Sequence, residues 1–129
     1  MHTTRMDTEP LKDLVVKILE DLKGKDISVL DVKDRTSVTD YMIIASGTSS
    51  RHIKSLADNL ILEIKKAGER PLGEEGKDAS DWVLVDLGDV VVHIMMPSAR
   101  EFYDLERFWR DAPVDSSAGS ATGSSAHLV

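Results

Sequence analysis

Two β-branched, apolar runs lie on either side of Gly88-Asp89, between Asp81 and Pro97. A glycine in the first position of a two-residue II′ turn supplies the positive φ that the turn requires, so the pattern predicts a β-hairpin with Trp82 opposite Met95. The period of two assigns to one face only aliphatic residues, which we expect in the core: Val83, Val85, Leu87, Val90, Val92 and Ile94. The other face, which we expect to remain open to a partner, carries Trp82, Leu84, Asp86, Val91, His93 and Met95.

The rest of the chain alternates between helical and strand-like patterns. Apolar residues at helical spacing predict one helix from Pro10 to a stop at Gly24 and a second from Ser50 to Gly68. Strands are predicted at 26–33 and 40–45, a short edge strand at 69–72 and a last helix at 99–109. This order favours a single α/β domain, with a mixed sheet of about five strands and helices mainly on one side.

Composition sets the boundaries of that domain. We expect residues 1–9 to be a flexible amino terminus and residues 10–113 to be the folded part. Residues 114–129 are mostly Ser, Ala, Gly and Thr, which bury too little apolar area to offset an ordering entropy of about 1 to 2 kcal/mol per residue. We therefore expect a disordered tail. No apolar run approaches the roughly 20 residues of a membrane span, no signal segment opens the chain, and a cytoplasmic protein is expected.

The charge of the chain restricts the class of its partner. It has 23 acidic and 16 basic residues, a formal net charge of −7. This charge repels phosphate backbones, so direct nucleic-acid binding is not expected, whereas a basic protein would be attracted. The absence of cysteine excludes disulfides and thiolate metal sites.

Three groups of residues have the composition of chemical sites. The segment Ser46-Gly-Thr-Ser-Ser50 precedes a helix and could cradle a phosphate, but helix capping by Ser49 or Ser50 is favoured because no Walker lysine is present. Turn, capping and solvation roles are favoured over metal ligation for a group of four carboxylates, since no two adjoin on one face: Asp78, Asp81, Asp86 and Asp89.

His93 lies diagonally across the predicted ladder from Asp86, and a carboxylate-oriented imidazole could act as a general base. No Ser or Cys nucleophile lies beside it in a known motif, so a structural or interface hydrogen bond is favoured. Trp82 is favoured as an interface residue, because tryptophan is common at binding hot spots. For Trp109, core and interface positions remain equally open.

Four segments in this order resemble the Iojap family, the ribosomal silencing factors, over residues 11–113. They are Thr39-Asp-Tyr-Met-Ile-Ile-Ala-Ser-Gly-Thr-Ser-Ser-Arg51, Glu75-Gly76, Asp81-Trp-Val-Leu-Val-Asp-Leu-Gly-Asp-Val-Val-Val-His93 and Arg100-Glu-Phe-Tyr-Asp-Leu-Glu-Arg-Phe-Trp109. The resemblance implies a nucleotidyltransferase-like fold without the catalytic acids. It also implies a non-enzymatic function: binding to the large ribosomal subunit through its intersubunit-face protein uL14, which blocks the small subunit and represses translation under nutrient limitation.

The resemblance assigns partner binding, residue by residue, to Trp82, Asp86, Asp89, His93, Tyr103, Glu106 and Trp109. Leu84 and Met95 join this set from the hairpin pattern alone, although an aromatic residue is common at the Met95 position in the family. No cofactor or metal is implied. Two alternatives remain: an enzyme that uses Ser46 to Ser50 for phosphate and Asp86 with His93 for chemistry, and a homodimer that covers the mixed hairpin face.

Overall fold

Five strands form one mixed sheet in the order β1-β2-β5-β4-β3. The computed structural model describes residues 6–76 and 81–111; residues 1–5, Asp78 and the predicted tail at 114–129 lie outside them. The elements are α1 Thr8–Asp21, β1 Lys25–Asp31, β2 Tyr41–Ser46, α2 Ser50–Lys66, β3 Gly73–Glu75, β4 Trp82–Asp86, β5 Val90–Met95, α3 Pro97–Tyr103 and α4 Leu105–Asp111. The β2–β5 pair is parallel and the other pairs are antiparallel. The predicted five-stranded α/β fold is confirmed.

The central hairpin has the predicted register. Trp82 pairs with Met95, Leu84 with His93 and Asp86 with Val91. At the turn, Gly88 has a φ of +90°, a conformation that glycine adopts without steric cost. The two faces of the hairpin are therefore sorted as the period of two predicts.

The first face of the sheet packs against the two long helices, α1 and α2. Their apolar stripes bury the aliphatic hairpin face in one cluster. The Ser49 Oγ accepts the backbone N–H of His52 at 3.1 Å and so caps α2, which confirms the favoured capping role. This side of the sheet holds the larger core.

The second face is covered by the short helices α3 and α4, so the expectation of an open face is wrong. A second apolar cluster fills the space between these helices and the sheet: Val32, Met42, Ile44, Met95, Ala99, Leu105 and Trp109. Arg35 donates to the backbone carbonyls of Trp109 and Arg110 at the end of α4, at 3.3 and 2.7 Å. The hairpin pattern alone did not show that residues carboxyl-terminal to it return across this face.

Several element boundaries also differ from the predictions: α1 begins at Thr8, inside the segment 1–9 that was expected to be flexible, and β1 ends at Asp31 instead of residue 33. The short edge strand begins at Gly73 rather than at residue 69, because residues 69–72 carry the chain from α2 to the sheet and Glu69 is buried there. The predicted last helix is interrupted at Asp104, whose φ of 51° and ψ of 49° are left-handed. Aspartate is one of the few residues that tolerate this conformation. The interruption separates α3 from α4.

Candidate partner-binding surface

Three aromatic rings lie together at the edge of the second face, where α3 ends. The ring centroids of Trp82 and Tyr103 are 4.6 Å apart, and those of Tyr103 and Phe102 are 5.0 Å apart with the rings edge to face. Phe102 is 79% exposed and Tyr103 is 48% exposed, while Trp82 is half-buried. We call these three residues the aromatic cluster.

A hydrogen bond holds the Trp82 ring, and a close approach of the chain at Gly76 packs against its backbone. Its Nε1–H donates to Nδ1 of the buried His93 at 2.9 Å. Because Nδ1 accepts this bond, the network assigns a neutral imidazole with its proton on Nε2. On the side of the incoming chain, Gly76 has a φ of +82°, and a Cβ there would lie 2.4 Å from the carbonyl oxygen of Trp82. Only glycine fits this close approach to the backbone.

Three predicted partner-binding residues are buried: His93, Met95 and Trp109. The structure corrects the expectation that they form part of an open face, because α3 and α4 pack over that end of the sheet. For Trp109, left open between core and interface by the sequence, the structure places the ring in the core. His93 supports Trp82, and Met95 packs beneath the two helices.

The other predicted residues are distributed along the face. Trp82 and Tyr103 are in contact, and Leu84 and Asp86 are half-buried on the same strand. Asp89 is exposed in the turn, where its Oδ2 accepts the Thr8 hydroxyl at 3.0 Å. The turn lies about 17 Å along β5 from the aromatic cluster, at a rise of about 3.3 Å per residue. The surface is therefore extended.

Glu106 is held in a network of hydrogen bonds with Arg100. Arg100 Nε and Nη2 donate to the two Glu106 carboxylate oxygens at 2.8 and 3.0 Å, and Ser28 Oγ donates to Oε2 at 2.6 Å. Arg100 Nη1 also donates to Ser46 Oγ at 2.9 Å. These bonds, that of Arg100 foremost, hold the pKa of Glu106 below its ordinary range. The Glu106 carboxylate is therefore paired with Arg100 inside the protein.

Sequence reasoning missed three residues of this region: Phe102, Phe108 and Arg100. Both phenylalanines fall in the single helix predicted at 99–109 and were given no binding role, yet Phe102 is 79% and Phe108 is 41% exposed. In an uninterrupted helix, residues 100 and 106 would lie about 120° apart around the axis. Their pairing depends on the break at Asp104, and the one available signal is the tolerance of aspartate for a left-handed conformation.

Acidic side chains adjoin the aromatic cluster. Asp81 precedes Trp82, Glu101 precedes Phe102 and Asp104 follows Tyr103, and all three acids are exposed. Glu75 is also exposed and pairs with Leu84 across β3 and β4. The exposed Arg107 lies 4.0 Å from Asp104 and offsets part of its charge, so the rim beside the exposed rings is acidic chiefly through the other three side chains. Such an arrangement suits a basic protein partner.

The groups suspected of chemistry are used structurally. Asp86 Oδ1 accepts the Gly88 N–H at 2.8 Å, the favoured turn role. Ser46 accepts from Arg100, and Ser49 caps α2. Within residues 6–76 and 81–111, no three His, Asp or Glu side chains come together in a way that could hold a metal ion. No helix in the same ranges is long and apolar enough to cross a membrane.

Comparison with known proteins agrees with the predicted resemblance. A family profile described as "Ribosomal silencing factor during starvation" matches residues 5–127. Ribosomal silencing factor RsfS of Haemophilus influenzae is 52% identical over 99 residues, which cover 77% of this chain and 97% of that protein. The predicted family resemblance is confirmed.

Two further relatives are informative, one for its solved structure and one for its name. A crystal structure of a protein from Chromobacterium violaceum superimposes with a TM-score of 0.79 at 41% identity, covering 89% of this chain and 98% of that one. Mitochondrial assembly of ribosomal large subunit protein 1 of Mus musculus is 41% identical over 100 residues, 75% of this chain and 44% of that protein.

Proposed function

The chain belongs to the ribosomal silencing factor family, and on this premise we propose that it binds the large ribosomal subunit through ribosomal protein uL14. Bound there, on the face that meets the small subunit, it sterically prevents the two subunits from joining and represses translation, especially when nutrients are limiting. It acts in the cytoplasm and catalyses no reaction. Binding alone is sufficient for this mechanism, because the bound protein occupies space that the small subunit requires.

The observation that carries the proposal is the exposure of the aromatic cluster. Phe102 and Tyr103 present large rings to solvent, although burying such apolar area against a partner would be favourable. Trp82 is fixed beside them by its hydrogen bond to His93, so little ordering is required of its ring on binding. Pre-arranged aromatic rings of this kind are typical of binding hot spots.

The acidic rim supports a basic ribosomal partner. Four exposed acids adjoin the cluster, namely Glu75, Asp81, Glu101 and Asp104, and the chain as a whole carries a formal charge of −7. Complementary charge raises the association rate and excludes partners of the same sign. A relative named for assembly of the ribosomal large subunit is consistent with the choice of subunit.

Cosedimentation with isolated ribosomal subunits tests the proposal. We expect the protein to sediment with large subunits and to reduce their reassociation with small subunits in a gradient. Trp82→Ala should weaken binding by about 2 kcal/mol or more if Trp82 is a hot spot. Leu62→Ala is the matched control, because Leu62 is an exposed apolar residue on α2, across the sheet. Unchanged reassociation at saturating protein would refute the function.

The identity of the ribosomal protein requires a separate experiment. A photo-crosslinking amino acid at position 102 should join the chain to uL14 on the large subunit, and the same group at position 62 should not. A reproducible crosslink from position 102 to another ribosomal protein would retain the large subunit as target but reject uL14.

A homodimer through the same surface would compete with ribosome binding. Mass measurement across a dilution series would detect such a dimer. If one exists and Phe102→Ala dissociates it, the two interactions share the aromatic cluster, and dimerisation would reduce the amount of protein available to the ribosome.

A further inference from the structure

We infer that Arg100 and Glu106 are positioning residues for the aromatic cluster. Their ion pair fixes the bend between α3 and α4 and thereby holds Tyr103 and Phe102 beside Trp82. The inference deepens the proposed function and rests on it for the identity of the partner. It assigns Glu106 a role inside the protein, in place of the direct partner contact that the family resemblance implies.

The geometry of the pair is suited to fixing an angle. Arg100 lies on α3 and Glu106 on α4, and two parallel bonds of 2.8 and 3.0 Å join the guanidinium to both carboxylate oxygens. A bidentate pair constrains orientation as well as distance, unlike a single contact to a point charge. The two short helices are thus joined across the left-handed residue Asp104.

The same network anchors the bend to the sheet. Arg100 Nη1 reaches Ser46 on β2, and Nη2 reaches Ser28 on β1 at 3.0 Å. Ser28 in turn donates to Glu106. The side chain of Arg100 is 13% exposed and that of Glu106 is 28% exposed, so competition from water is limited. A largely buried guanidinium with this many partners is a structural element and is not offered to a partner protein.

The aromatic cluster depends on this anchor because burial holds it only weakly. Phe102 is 79% exposed, and Tyr103 is the last residue of α3, directly before the bend. Since the backbone carries both rings, their positions follow the direction of the end of α3. A change in the angle at Asp104 would move Tyr103 away from Trp82 without disturbing the aliphatic core.

A double-mutant cycle in affinity for purified large subunits tests the inference. Arg100→Met should weaken binding about tenfold in the native background but less than about twofold in a background where Phe102 and Tyr103 are both alanine, because coupled residues show non-additive effects. Arg100→Lys keeps the charge but lacks the planar fork of donors, so its affinity should lie between that of the native protein and that of Arg100→Met. Lys17→Met removes a cation from the exposed face of α1 and should leave affinity unchanged. Equal losses in both backgrounds would overturn the inference.

A second measurement on the free protein separates this inference from the proposed function. Nuclear Overhauser contacts between the Trp82 and Tyr103 rings should be lost in Arg100→Met, while methyl signals of Ile43 and Leu60 in the main core persist. If Arg100→Met does not fold, Ser28→Ala, which removes one hydroxyl of the network, should weaken the same contacts. Retention of the ring contacts in the folded variants would overturn the inference. If the native protein fails to bind large subunits, the proposed function is refuted. The ring contacts then decide by themselves whether Arg100 and Glu106 position the aromatic cluster.

Discussion

The two faces of the sheet are built from different chemistry. Towards α1 and α2 the hairpin presents only aliphatic side chains, and the helices pack leucine, isoleucine and valine against them. Towards α3 and α4 the same strands present a tryptophan, a histidine and a methionine, beside a network of arginine, glutamate and serine. One pair of strands thus supports two layers that differ in their interactions.

The two faces therefore contribute differently: the first stabilises the fold, and the second positions the exposed rings. Aliphatic burial is non-directional and scales with area, so the first face contributes to stability whatever the precise orientation of each side chain. Hydrogen bonds depend on angle as well as distance, so the second face can hold rings in a defined position. We therefore expect variants on the two sides to affect stability and ribosome binding to different degrees.

Trp109→Ala should have the largest effect on stability and tests how far the second face is also a core. Trp109 is 2% exposed and fills the space between α4 and the sheet, so its removal should lower the free energy of unfolding by about 3 to 5 kcal/mol. Denaturant titration measures the loss. Phe108→Ala, which removes a neighbouring ring that is 41% exposed, is the control and should cost far less. Similar losses for the two variants would contradict the assignment of Trp109 to the core.

Phe102→Ala should separate binding from folding most clearly. Because the ring is largely exposed, its loss should change the free energy of unfolding by no more than about 0.5 kcal/mol. Affinity for the large subunit should fall about tenfold, equivalent to about 1.4 kcal/mol. Isothermal titration and denaturant curves on the same preparation give both values. A stability loss larger than the affinity loss would place Phe102 with the structural residues.

The main elements follow from local patterns in the sequence, and the cover of the second face does not. The hairpin register, the Gly88 turn and the two long helices are set by residues close in sequence, so periodicity predicts them. The approach of Trp109 to Met42 depends on a return of the chain across the sheet. Local hydrophobicity does not encode that return, and this explains why the face was expected to be open.

The candidate site shows the same limit. Trp82 and Tyr103 were selected on residue type and family resemblance, and the structure brings their rings together. His93 and Trp109 were selected on family resemblance and Met95 on the hairpin pattern alone, but all three are buried. Arg100 gave no local signal, because its pairing with Glu106 requires the bend at Asp104. Contacts across a helix break are accessible only once the tertiary arrangement is known.

Ser49→Ala tests the first face with a small and local change. The Ser49 side chain caps α2, and loss of such a cap costs about 1 kcal/mol of stability. Ribosome binding by the folded protein should be unchanged, the reverse of the result expected for Phe102→Ala. Ser50→Ala is the matched control, since Ser50 lies inside the helix and its removal should cost less. Equal losses would mean that the cap is not specific to Ser49.

The pH dependence of stability offers the finest test, through Glu106→Gln. Its hydrogen bonds, chiefly that from Arg100, hold the pKa of Glu106 below the ordinary value of 4.5. A carboxyl group with a lowered pKa in the folded state stabilises the protein above its ordinary pKa, and this contribution is lost as the pH falls through the folded pKa. The difference in unfolding free energy between the native protein and Glu106→Gln should therefore be constant above about pH 6 and shrink below about pH 4.5.

Glu9, whose pKa is also lowered, by Lys12 first and by Tyr41, titrates equally in both proteins and cancels from that difference. Phe102→Ala, which removes no titrating group, supplies the control, and its difference from the native protein should not vary over the same range. A difference for Glu106→Gln that stays constant down to about pH 3 would show that the carboxylate gains nothing from Arg100 in the folded state. Apolar packing alone would then hold the rings of the second face in position, as it holds the aliphatic side chains of the first face.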